Sequence, residues 1–102
     1  MIVNVQKFCS KSYNISIDTL KGKRKVKDSN EYKTYNLSII LSWLLHPTQV
    51  YGSKSLIARL HSCKRNRVHR LFSLYNRNAS FKSFVDKALE SYNIQNASNR
   101  KT

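Results

Sequence analysis

Acidic residues are what this chain lacks most. Its 102 residues carry five Asp and Glu against 19 Lys and Arg, a formal charge of +14. No carboxylate occurs anywhere from residue 32 to residue 85. Asp18, Asp28, Glu31, Asp86 and Glu90 are scattered, so they offer no obvious pair for general acid–base chemistry, and each reads as a cap, turn or surface group. Glycine occurs twice and proline once. With no long alternating stretch beside them, helical periodicity dominates over β structure. Cysteine is limited to Cys9 and Cys63, whose separation fits no zinc spacing, and His46, His61 and His69 do not complete a metal set. The two thiols read as reduced, as in a cytosol. The longest mainly apolar run, residues 37–45, is interrupted by Ser38 and Ser42 and is far too short to span a bilayer. Residues 1–10 are too short and polar for a signal peptide. These absences lead to the expectation of a cytoplasmic protein that is not an enzyme, with no catalytic residue, metal, cofactor or membrane partner.

What is present is positive charge on a chain able to fold. Hydrophobic residues make up 40 % of the sequence, enough for a modest core in one domain. An imbalance of +14 repels itself, so it points to a polyanionic partner more than to solubility alone.

The periodicity predicts about six helices. A first helix is expected over 3–12 from Val5, Phe8 and Cys9, followed by a short helix over 17–20 capped by Ser16. A basic loop over 21–27 holds five Lys and Arg in seven residues. A long helix over 32–46, apolar around nearly its whole circumference, reads as the buried centre and ends before Pro47. Residues 49–52 read as a loop, with Ser53 as N-cap of a helix over 54–60. A fifth helix is expected over 64–75, with Val68, Leu71, Phe72 and Tyr75 turned inward. The sixth starts near Ala79 and carries the strongest stripe: Phe81, Phe84, Val85, Ala88, Leu89 and Tyr92. Residues 1–92 then form one domain, and the polar residues 93–102 are expected to be a disordered tail. Trp43 is assigned to the core, while Tyr13 and Tyr51 are the aromatics expected to be exposed.

The most telling segment is 53–70, SKSLIARLHSCKRNRVHR. A short apolar helix, the polar break His61-Ser62-Cys63 and a second, basic amphipathic helix form the pattern of a helix-turn-helix. With Val68 inward, about 100° per residue turns Asn66, Arg70, Ser73 and Arg77 outward, flanked by Arg67 and His69. Arg suits guanine or phosphate, Asn suits adenine, and Ser can donate to phosphate. The expected DNA-binding set is Lys23, Arg24 and Lys25 in the basic loop, Lys54, and Lys64, Arg65, Asn66, Arg67, His69, Arg70 and Ser73 along the fifth helix.

Together these features resemble the C-terminal DNA-binding domain of the bacterial replication initiator DnaA, within the Trp-repressor-like helix-turn-helix group. The resemblance runs from Val5 to about Tyr92. It rests on Tyr13-Asn14-Ile15-Ser16-Ile17-Asp18-Thr19-Leu20 before the basic loop, the apolar helix over 37–45, Leu56-Ile57-Ala58-Arg59-Leu60-His61 in the first part of the motif, and the polar run Lys64-Arg65-Asn66-Arg67 ending at Val68. It implies that Arg24 enters the minor groove while 64–67 read bases and phosphates in the major groove. The family's Asp-His-Thr-Thr is replaced entirely by Lys64-Arg65-Asn66-Arg67, so the initiator's own site is not expected to be recognised. The expectation is therefore an all-α Trp-repressor-like bundle that binds double-stranded DNA, nucleoid-associated, as a small replication accessory or transcription regulator. Replication or transcription proteins are further candidate partners. Two alternatives share the charge: an RNA-binding or ribosome-associated protein, and an interaction module acting on the replication machinery.

Overall fold

The computed structural model describes residues 2–21, 30–46 and 51–100. They form six helical segments and no strand: α1 (Ile2–Tyr13), the single turn α2 (Ile17–Leu20), α3 (Asn30–Leu45), α4 (Tyr51–Leu60), α5 (Arg65–Arg77) and α6 (Ala79–Arg100). All six lie where periodicity predicts a helix, with differences at the ends.

α3 is the axis of the fold. Its residues Tyr35, Leu37, Ile39, Ile40 and Leu41 are all buried, as is Trp43, so its apolar side chains meet neighbours on every side. α1, α2, α4, α5 and α6 all pack on it. α1 contributes Val5, Phe8 and Cys9 to the shared core; α5 contributes Val68 and Leu71, and α6 contributes Val85, Ala88 and Tyr92. The ring of Phe8 meets Tyr92 edge-on at 5.4 Å, and Trp43 meets Phe72 at 5.9 Å. Burial pushes the Cys9 thiol up to about 12, which leaves it protonated and unreactive.

Scarce glycine leaves a mark on the helix ends. α1 closes through Asn14 at φ 56°, with the Ile15 N–H donating to the Ser10 carbonyl at 3.0 Å. α4 closes through Ser62 at φ 53°. These are left-handed positions that usually take glycine. Ser16 caps α2 by accepting the Asp18 N–H at 3.1 Å, and Asn78 caps α6 by accepting the Phe81 N–H at 2.9 Å.

Three sequence expectations change. α4 begins at Tyr51, so 51 and 52 are helical and Ser53 is a buried residue inside the first turns, not an N-cap. α6 continues through Arg100, across residues expected to form a polar tail. Tyr13 is half-buried and its ring lies 6.3 Å from that of Phe84, so it is a packing residue. The side chain of Tyr51 lies outside the described set. Among the described residues no helix is long and apolar enough to cross a membrane.

Candidate functional site

The site is built on the tight connection between α4 and α5. At the end of α4 the Ser62 N–H donates to the Arg59 carbonyl at 3.1 Å, and the Cys63 N–H donates to the Ala58 carbonyl at 2.9 Å. This pair of bonds is a Schellman closure, and the positive φ of Ser62 allows it. Four residues, 61–64, separate the two helices, and α5 packs directly against α4.

Neutral polar groups lock the inner side of this turn. His61 is fully buried. Its Nδ1 lies 2.9 Å from the Ile57 carbonyl, which can only accept, so Nδ1 carries the proton. Nε2 then accepts from the Ser38 hydroxyl at 2.8 Å. The Tyr35 hydroxyl donates to the His61 carbonyl, and Gln6 Nε2 donates to the Leu60 carbonyl at 3.1 Å. Residues of α1 and α3 thus hold the last turn of α4 from the far side of the core. Burial lowers the His61 pKa to about 4, so the imidazole is neutral near pH 7. Burial likewise raises the Tyr35 pKa.

The outer side is cationic. Lys64 occupies the N-cap of α5 and offers no side-chain cap, and the first turn of α5 has no acidic residue. An open groove of about 740 Å³ runs along this turn, lined by Ser62, Cys63, Lys64, Asn66, Arg67, His69 and Arg70. Lys64, Asn66, His69 and Arg70 are exposed; Arg67 is half-buried. Lys54 of α4 reaches across, with Nζ 3.5 Å from His69 Nδ1 and 5.0 Å from the Trp43 ring. Cations, an amide and a hydroxyl at the positively polarised end of a helix form a surface able to bind anionic oxygen and base edges.

The structure therefore gathers Lys54, Lys64, Asn66, Arg67, His69 and Arg70 in one place. Arg65 is exposed on the same first turn without lining the groove, and Ser73 is half-buried two turns further along. Lys23, Arg24 and Lys25 lie outside the described residues. Arg67 has an additional role: its Nη1 donates to the Tyr32 hydroxyl at 3.0 Å and to Asn36 Oδ1 at 3.2 Å. That hydrogen bond to Tyr32 is the leading cause of its raised pKa. Sequence reading missed His61, Ser38, Gln6, Tyr32 and Asn36. Their partners lie on other helices, so no local spacing marks them. Farther along, the Tyr75 hydroxyl donates to Asp86, and Lys82 lies 3.8 Å from the same carboxylate, clasping α5 to α6.

Comparison with protein-family models, with curated proteins and with solved structures yields no match.

Proposed function

We propose that α4, the 61–64 turn and α5 act as a helix-turn-helix that binds double-stranded DNA, with the outer face of α5 in the major groove. The observation that carries this reading is the groove itself. Cationic, amide and imidazole side chains converge on one helical turn, inside a stretch of 54 residues (32–85) without a carboxylate. A structural surface has no use for that much unrelieved repulsion, whereas a phosphate backbone relieves it. Lys64, Arg65 and Arg70 are assigned to phosphates and Asn66 to a base edge. Lys54 and His69 extend the phosphate track across α4, and the basic loop around Lys23, Arg24 and Lys25 supplies a second contact on the minor groove or the backbone. The sequence resemblance to the initiator's DNA-binding domain supports the same reading and suggests a replication accessory or transcription regulator.

The test is binding of the full chain to a labelled duplex of about 20 base pairs across a salt series. Six to eight cationic contacts give a log–log slope of about −5 to −7. A flat salt dependence contradicts the proposal. So does an RNA of matched length that displaces the duplex, which selects the RNA-binding reading instead.

A further inference from the structure

Arg67 faces the groove and is also tied into the body of the protein. Its Nη1 carries two N–H groups, and its two acceptors, the Tyr32 hydroxyl at 3.0 Å and Asn36 Oδ1 at 3.2 Å, account for both. The guanidinium carbon lies 5.6 Å from the Tyr32 ring centre and 5.8 Å from that of Tyr35. Two α3 acceptors and two aromatic rings thus constrain the guanidinium plane. Among the described residues no hydrogen bond engages the edge formed by Nε–H and Nη2–H, and its two parallel donors match a pair of acceptors side by side. Arg70 is exposed on the same groove wall and has no such anchoring among the described residues, so it suits a phosphate at variable position. A donor pair held in one plane discriminates between base edges because it cannot follow a displaced acceptor.

We infer that Arg67 reads guanine through O6 and N7 with its Nε and Nη2 donors, and that Tyr32 and Asn36 of α3 are the positioning residues that set its plane. This rests on the proposal that α5 enters the major groove of duplex DNA. Base preference in this chain then depends on a helix that does not itself enter the groove.

The experiment is selection from a randomised duplex library, with wild type, the Tyr32→Phe/Asn36→Ala double variant and Arg67→Lys run in parallel. Salt series on a selected duplex accompany each. Wild type is expected to select guanine at one position. The double variant keeps the charge of Arg67 and the Tyr32 ring, and it should lose discrimination at that position alone by about tenfold. Its salt slope and its preferences elsewhere stay unchanged. Arg67→Lys keeps the charge, lacks the fork, and should lose the same discrimination. Retained guanine preference in either variant overturns the inference, as does an equal loss on every duplex. A wild type that binds duplexes with no base preference overturns it while leaving DNA binding intact. A wild type that binds no duplex contradicts the functional proposal and removes this inference with it. Should the double variant fail to fold, Asn36→Ala alone and Arg67→Lys decide the matter.

Discussion

The two faces of the α4–α5 connection share a few residues of chain and are built on opposite principles. Inward, His61, Ser38, Tyr35 and Gln6 are buried, neutral and bonded to carbonyls or to each other. Outward, Lys64, Arg65, Asn66, His69 and Arg70 are exposed, mostly charged, and face a groove or solvent. Buried polar groups left without partners are costly, so the inner face tolerates little change. Exposed cations contribute little to folding, so a partner can engage them at small cost to stability. The inner face fixes where the outer face points. Arg67 belongs to both.

The largest effect expected on this contrast comes from the inner face. His61→Ala removes two side-chain hydrogen bonds, takes the His61 acceptor from the buried Ser38 hydroxyl and leaves a cavity; it should lower the unfolding free energy by about 3 kcal/mol in urea titration. A loss under 1 kcal/mol would mean the turn is not held from within.

Acid should act through the same residue. The folded pKa of His61 is about 4 against 6.5 unfolded, so below 6.5 the unfolded chain binds a proton that the native chain refuses. The stability contributed is complete above pH 6.5 and is lost as pH falls toward 4, by about 3 kcal/mol in all at ~1.4 kcal/mol per unit. His61→Gln, which does not titrate, should show a flatter profile across that window. Parallel profiles for the two proteins would remove His61 as the cause.

The outer face should behave in the opposite way. Arg70→Ala is expected to leave unfolding free energy within about 0.5 kcal/mol of wild type. It should weaken binding to every duplex by an amount on the order of tenfold and reduce the salt slope by about one. Destabilisation with unchanged affinity would invert the comparison.

The smallest effect concerns the hinge between the faces. Ser62 holds φ 53°, where glycine carries no steric penalty. Ser62→Gly should raise the unfolding free energy by up to about 1 kcal/mol and leave affinity unchanged. Lower stability would mean that the Ser62 side chain, not its backbone, closes the turn.

Much of the architecture was legible in the sequence, and the exceptions have physical reasons. α3 announced itself by being apolar around its circumference, and α5 and α6 by one-sided stripes whose buried members include Val68 and Leu71 on α5 and Val85, Ala88 and Tyr92 on α6. Asn66, His69, Arg70 and Arg77 are exposed, as helical geometry predicts once Val68 is placed inside, whereas Arg67 and Ser73 are half-buried. His61 was not legible: a His-Ser-Cys triplet reads as a polar turn, and its burial is imposed by Ser38, 23 residues away, with Gln6 reaching the neighbouring Leu60 carbonyl from 54 residues away. The start of α4 was misplaced because Ser53 has the chemistry of an N-cap, yet it is buried in a helix that had already begun at Tyr51. The link from Arg67 to Tyr32 and Asn36 spans 35 and 31 residues and depends on how α5 lies on α3, which periodicity does not encode.

The central claim is that the outer face of α5 meets duplex DNA. Amide chemical-shift mapping of the labelled full chain, titrated with a selected duplex at about 0.15 M salt, tests it residue by residue. The expected result is a contiguous set of shifted amides over Ser62 to Arg70, with Lys54 and Ser73, while Glu90 to Ile94 on α6 stay unmoved. Shifts centred on α6 or α1, with residues 62–70 unaffected, would contradict the account.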